Sequence, residues 1–355
     1  MLSACRLRAV WNSQRVEALV PSNPKRFVGT IAHRLLERAL TSHFVGALDR
    51  QLASLWDDLV AETEEHMLRS PADRRFVPLV KFVPDMMVLR AKAMMRASEI
   101  ASAKSSSREG AMAPSRVGGE ISVRSRKGLL TGRVDRVIET ENGVVLQDYK
   151  SGPLTARDGG AADIKPEFRQ QLQLYAILYF ETIGVWPMRL ELVPLVGDSA
   201  NVPFAPAECQ TLLDEAENAV YDVSAALAKF ATTPELAEEQ LAQPSPKVCK
   251  FCSYRPACST YLSVDRRAPD DEWPADVWGT VTSVTKLGNG NLAIGIRTAN
   301  GDVLYVRDVD ESMLQSRIAV AGSVGHQVGV FGARFGGSPK AMEAGPYTVI
   351  FLSIP

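Results

Sequence analysis

A chain of 355 residues, 46% hydrophobic and 23% charged, has room for two domains or one large domain with an appendage, and its composition excludes wholesale disorder. A formal net charge of −1 excludes nucleic-acid binding through global basicity, so any such role needs a local basic surface. No apolar run approaches the roughly 18 residues of a membrane span, and the opening MLSACRLRAVWNSQR has no uninterrupted apolar stretch of signal-peptide type; the expectation is a soluble, cytoplasmic protein with no membrane partner.

Residues from about 29 to 70 read as helix, opening GTIAHRLLERAL, and a second helical stretch covers about 79 to 104. The Ser/Gly/Pro-rich SSSREGAMAPSRVGG then reads as a connector. From Glu120 the runs EISVRS, LLTGRVDRVIET and GVVLQDYK are β-prone, with a hairpin-type turn at Glu141-Asn142-Gly143. A helix over about 167 to 183, a strand near Arg189 to Pro194 and a long helix from near Ala207 follow. After LSVDRRAPDDEW, which reads as a linker, residues 274 to 355 hold five short β-prone runs, a pattern that suits a small barrel of the OB type, with a small β-sandwich or SH3-like barrel as the alternative.

Two acids stand out in the β-prone middle, in GRVDR (132–136) and DYK (148–150). A hairpin would bring Asp135 and Asp148 together, and converging carboxylates repel unless a cation lies between them. Oxygen ligands of this kind suit Mg²⁺ or Mn²⁺. Lys150, two residues after Asp148, shares its face of a strand and can address charge developing on a phosphate. By itself such a pattern also describes a solvated strand face. Two further pairs sharpen it: Gln171 and Tyr175 lie four apart on one helix face, as do His33 and Glu37.

Taken together, GTIAHRLLE, GRVDR, DYKSG and QLQLY, in that order over some 145 residues, resemble the RecB-like PD-(D/E)XK nucleases. The resemblance implies an α/β nuclease core, a mixed sheet flanked by helices, over residues 1–265; the small β domain over 274–355 is read from its own β-prone runs. It implies that His33, Asp135, Asp148 and the Tyr149 carbonyl ligate Mg or Mn, and that Asp135, Asp148 and Lys150 are catalytic. Gln171 and Tyr175 would hold the DNA backbone and the active-site strand. Glu37 and Glu120 read as surface or strand-edge carboxylates.

Of five cysteines, Cys249, Cys252 and Cys258 crowd into ten residues with C-x2-C-x5-C spacing, which favours metal or cluster ligation over a disulfide framework. Either zinc or [4Fe–4S] takes four thiolates, and the spacing leaves both open. The resemblance, here to AddB-like and CRISPR-associated RecB-like nucleases, implies [4Fe–4S] with Cys5 as fourth ligand. Cys209 is the alternative fourth ligand, or otherwise a buried small hydrophobe. A cluster bridging Cys5 and Cys249 would act as a staple, closing a long loop.

No G-x-x-x-x-G-K-[ST] is present, so the chain carries no Walker motor. The expected activity is a metal-dependent deoxyribonuclease, an exonuclease or else an endonuclease favouring single strands or DNA ends, in repair, recombination or defence, free-standing or beside a separately encoded helicase. A catalytically silent DNA-binding or scaffolding subunit is the rival, and the intact His33, Asp135, Asp148 and Lys150 speak against it. In the barrel, Trp278, Lys286, Arg297, Tyr305, Arg307, Arg334 and Phe335 are candidates for gripping single-stranded DNA.

Overall fold

The computed structural model describes residues 5–106, 116–118, 120–155, 164–230, 233–264, 273–310, 313, 323–338 and 340–352. Its Cα packing groups the chain into two compact units, residues 24–69 with 76–221, and residues 1–23 with 70–75 and 222–355. The first helix, α1 (Arg6–Ser13), therefore groups with the C-terminal third of the chain.

The other unit begins with α2 (Lys25–Thr41), α3 (Leu48–Arg69) and α4 (Met86–Ser106), which pack on one another. The single helix expected over 29–70 is thus two, broken at residues 42–47, where Gly46 takes a φ of 93° that a continuing helix does not accept. The second stretch is also shorter than expected: residues 79–81 form only a 3₁₀ turn, and α4 starts at Met86, two residues after Pro84. Part of the expected connector is a strand, β1 (Arg116–Gly118); residues 107–115 and 119 lie outside the described set.

Next come β2 (Ile121–Arg124), β3 (Thr131–Val134), β4 (Arg136–Thr140) and β5 (Gly143–Lys150). The expected turn closes β4 onto β5, with Thr140 opposite Gly143 and Gly143 at a φ of 134°. The expected continuous run LLTGRVDRVIET does not form. It breaks at Asp135, so β3 pairs only with β2 in a separate hairpin while β4 joins the main sheet. Helix α5 (Pro166–Ile183) opens on a proline and ends where Gly184, at a φ of 89°, returns its N–H to the Phe180 carbonyl at 2.7 Å. It carries the chain to β6 (Arg189–Pro194), parallel to β5, and β7 (Ala200–Asn201) closes the sheet order β1-β4-β5-β6-β7. This is a mixed sheet with helices, as expected. Its core joins Val134, Val137, Leu146, Leu190 and Leu192 to Leu172, Ala176 and Ile177 of α5. The unit ends within α6 (Pro206–Lys229).

In the second unit, α7 (Pro234–Leu241), α8 (Pro246–Cys249) and α9 (Ser259–Leu262) lead to β8 (Ala275–Lys286), β9 (Leu292–Arg297), β10 (Val303–Val309), β11 (Gln327–Phe335), β12 (Ala341–Glu343) and β13 (Val349–Leu352). The expected linker falls mostly at residues 265–272, outside the described set. The pairings run β8–β9, β9–β10, β10–β12, β12–β11 and β11–β8, so five strands form a circuit that returns to its start. Ile294, Ile296, Val306, Val328 and Val330 point into it and are buried.

Candidate active site and cysteine cavity

The break at Asp135 organises the first site. Continued in register, the β4–β5 ladder would set Val134 opposite Tyr149, but Val134 pairs with Ile121 instead. The Tyr149 N–H is left without that rung, and it donates to Asp135 Oδ2 at 2.7 Å. The acid thus fills the gap that its own bend creates. His33, on α2, places Nδ1 3.5 Å from the same oxygen, with its ring edge-on to Tyr149.

On β5 the side chains alternate. Leu146, Asp148 and Lys150 share one face, and Gln147 and Tyr149 the other. Asp148 is only 3% exposed. Burial pushes its carboxyl above the usual carboxylate range; Lys150 opposes the shift and Asp135 adds to it. Its Oδ2 meets the Lys150 ammonium as an ion pair but, among the described residues, finds no donor in hydrogen-bonding geometry.

The lysine is held on three sides. It contacts Asp148, lies 4.6 Å over the Phe168 ring, and donates to Gln171 Oε1 at 2.8 Å. Gln171 Nε2 in turn donates to the Tyr175 hydroxyl at 3.0 Å. Both motif glycines have steric reasons. A Cβ on Gly29 would stand 2.9 Å from Ser151 Oγ, and one on Gly132 would stand 2.8 Å from the Tyr175 ring. The first motif therefore packs on the third, and the second on the fourth.

Glu120 turns away to an ion pair with Arg133, and Glu37 is half-buried one turn along α2 from His33. On the opposite face of β5, Arg136 donates to Gln147, which donates to Glu191, itself paired with Arg189. Neither Phe168 nor this buried chain was visible as a site feature in sequence. The aromatic is identifiable only as the residue three before Gln171 on α5.

As placed, no group of three or more His, Cys, Asp and Glu side chains among the described residues is gathered into a metal site. The donor chemistry nonetheless fits a divalent ion. Two carboxylates and an imidazole approach one another, the buried Asp148 Oδ2 meets only the Lys150 ammonium among the described residues, and oxygen-rich sets of this kind select Mg²⁺ or Mn²⁺.

The second site lies in the other unit. Cys5, Cys249, Cys252 and Cys258 line one cavity, together with Arg8, Trp11, Arg255 and Tyr261. Burial pushes the Cys258 thiol up to about 11, and Cys252, Cys249 and Cys5 add smaller contributions in the same direction. Burial also raises Cys252, while Arg8 and Arg255 pull it back. Cys209 is elsewhere, fully buried on α6 against the sheet core. A four-thiolate set fits either zinc or an iron–sulfur cluster. Buried Arg255 anchors the cavity wall: it donates to the Cys252 carbonyl and to Asp276 at the start of β8. Asp276 also accepts from the Tyr261 hydroxyl at 2.7 Å and the Gly332 N–H at 2.7 Å. Sequence reasoning missed both partners, because an Arg and an Asp twenty-one residues apart carry no local signal.

In the circuit of β8 to β12, Lys286, Arg297, Tyr305, Arg307 and Arg334 are exposed. Trp278 and Phe335 are half-buried. Trp278 stacks 6.4 Å from Phe331 and packs near Tyr261, and Phe335 packs against the core of the strand circuit.

An α/β unit whose central strand presents Asp148 and Lys150 beside Asp135 defines an acid–acid–lysine centre. The family model for the PD-(D/E)XK nuclease superfamily matches residues 2–259, and the chain belongs to that superfamily. Membership implies a nuclease. A comparison with curated proteins finds no match. Among solved structures, one described as "Crystal structure of SSO0001" is 15% identical, covers 66% of this chain and 96% of its own, with a TM-score of 0.25. Another, "Structural mimicry for functional antagonism", is 8% identical and covers 66% and 87%, with a TM-score of 0.17. No described helix is long and apolar enough to cross a membrane.

Proposed function

We propose that the protein is a metal-dependent deoxyribonuclease of the RecB-like branch, cutting phosphodiester bonds in single strands or at DNA ends. The observation that carries this reading is the relay Tyr175–Gln171–Lys150, which aims an ammonium at the space beside Asp148 and Asp135. His33, Asp135, Asp148 and the Tyr149 carbonyl would hold Mg²⁺ or Mn²⁺. When bound, the ion supplies Lewis-acid stabilisation of the negative charge that develops on the phosphodiester. Lys150 faces the same charge, and a preoriented cation is worth more there than a mobile one. Gln171 fixes the direction of the ammonium, and Tyr175 fixes Gln171. The Phe168 ring closes off another side of the lysine. Asp135 does two tasks, holding the Tyr149 amide and offering its remaining lone pairs to the ion.

Cys5, Cys249, Cys252 and Cys258 hold a [4Fe–4S] cluster in this reading, a structural staple, with zinc as the alternative occupant. The circuit β8-β9-β10-β12-β11, with β10 and β12 parallel, supports an OB-type barrel that captures the strand. A helicase supplied by another chain would unwind the duplex, and repair, recombination or defence is the setting.

End-labelled single-stranded DNA, duplex DNA and closed circles, digested with Mg²⁺, Mn²⁺ or EDTA, test this. Cleavage of the linear substrates that needs the metal, and that falls about 10²- to 10³-fold or more in Lys150→Ala or Asp135→Ala, is expected. Binding without cleavage by the unaltered protein would replace the nuclease with the silent DNA-binding reading.

A further inference from the structure

We infer that the β2–β3 hairpin is the track along which a nucleic-acid strand is held by its phosphates on the way to the catalytic centre. This deepens the nuclease reading and rests on it.

A chain of net charge −1 needs a local basic surface to hold DNA. Residues 121–134, ISVRSRKGLLTGRV, contain four cations, Arg124, Arg126, Lys127 and Arg133, and no acid. The fold separates this hairpin from the main sheet and gives it two unlike faces. Val123 and Val134 are buried and Gly132 lies under the Tyr175 ring, so the inner face rests on α5. Ser122, Arg124, Thr131 and Arg133 form the outer face, which is exposed. Cross-strand pairing sets Ser122 opposite Arg133 and Arg124 opposite Thr131, so guanidinium and hydroxyl alternate, both of them phosphate donors.

The hairpin is also fixed in place. The Arg124 N–H donates to Thr182 Oγ1 at 2.9 Å, and the Arg126 N–H to Glu181 at 2.6 Å, both at the far end of α5. Gln171, which holds Lys150, and Thr182 are eleven residues apart on that helix, about 16 Å along its axis. The hairpin spans this distance, with Asp135 at its base and Arg124 and Arg126 toward its tip.

Two of the four cations are already engaged, Arg133 with Glu120 and Lys127 with the buried Glu217. Among the described residues, the Arg124 and Arg126 guanidiniums have no ion-pair partner. Two exposed guanidiniums without a carboxylate partner are open to an anion. A phosphate chain leading to a phosphodiester-cleaving centre supplies that anion.

The test uses the full chain with Lys150→Ala, so that a fluorescent single-stranded oligonucleotide stays intact. Adding Arg124→Ala and Arg126→Ala should raise Kd about tenfold and make log K against log salt shallower by about 1.4, or about 0.7 per lost single-strand contact. Arg124→Lys with Arg126→Lys should keep most of the slope, and Lys92→Ala, an exposed lysine on α4, should bind like its parent. Without any hairpin substitution, bound oligonucleotide should also protect Arg124 and Arg126 from phenylglyoxal, read by mass spectrometry. Parent-like affinity and slope in the alanine pair, or arginines that stay reactive under bound strand, would overturn the inference. The nuclease reading would fail separately, by absence of metal-dependent cleavage in the unaltered protein.

Discussion

A methyl group on Gly132 would stand 2.8 Å from Cε1 of Tyr175, so the missing side chain at 132 is what lets α5 lie against β3. Tyr175 is the far end of the relay that orients Lys150. The glycine therefore bears on the lysine through two side chains without touching it. Overfilling a packed position costs about 1–3 kcal/mol of stability, and a displacement of about 1 Å at a catalytic group costs up to about 10²-fold in rate.

Gly132→Ala should accordingly lower single-turnover cleavage by about tenfold or more, with a modest fall in thermal midpoint. Tyr175→Phe keeps the ring and removes only the hydroxyl on Gln171, worth about 1 kcal/mol, so its loss of rate should be smaller. If Gly132→Ala cleaves as fast as the unaltered chain, Tyr175 does not position the lysine.

Much of this centre was legible because its logic is local. Asp148 and Lys150 share a strand face by alternation, Gln171 and Tyr175 share a helix face by spacing, and Glu141-Asn142-Gly143 specifies its turn. The bend at Asp135 was not legible, since VDRV reads as uninterrupted strand and only the competing partner Ile121 pulls Val134 away. The break at 42–47 was hidden in the same way, by helix-forming residues on both sides of Gly46. Cys5 shares its cavity with the cysteines near residue 250 through contacts more than 240 residues apart in sequence, which no window of periodicity detects.

Asp276 collects donors from Arg255, Tyr261 and Gly332, with both charged side chains almost wholly buried. Removing one member of a buried pair strands the other charge, at about 3–5 kcal/mol. Asp276→Ala should therefore lower the thermal midpoint sharply, whereas Arg255→Met with Asp276→Leu together should recover part of the loss. A small effect of Asp276→Ala would mean that water reaches the pair.

The cysteine cavity predicts a different signature. Anaerobically prepared protein should be brown, with about four irons per chain. Cys252→Ser should lose the metal and lower the thermal midpoint, and Cys209→Ser should retain the metal. Stoichiometric zinc without iron would make zinc the occupant.

Cys209 also carries a pH prediction. Burial, with a smaller contribution from Glu208, pushes its thiol up to about 11. The native state therefore favours the neutral form. The associated stability is present below the ordinary thiol pKa of about 8.5 and is lost as pH rises through about 11. In the native protein at pH 8, Cys209 should resist a thiol-disulfide reagent and react fully only in denaturant. Rapid native labelling at Cys209, read by peptide mapping, would contradict its burial.

The exposed face of the β8–β12 circuit is open to the same kind of test. Deleting residues after about 267 would be a poor test of strand capture, because it removes Asp276 and leaves Arg255 buried and unpaired. Point substitutions avoid this. Tyr305 is 48% exposed, and its ring edge lies over Gly295 of the neighbouring strand, where a Cβ would come within 3.3 Å. Arg307, two residues on, shares its face of β10, and Arg297 shares the corresponding face of β9 with Gly295. An aromatic flanked by cations and backed by a glycine suits base stacking, worth about 1–3 kcal/mol per base. Tyr305→Ala should weaken single-strand binding by about five- to a hundredfold with little change in salt slope, since no phosphate contact is lost. Arg297→Ala with Arg307→Ala should instead make the slope shallower. For both, KM should rise while kcat at saturating strand stays unchanged, because the lost binding is uniform between ground and transition states. Unchanged affinity in both variants would leave this face to a protein partner and remove it from strand capture.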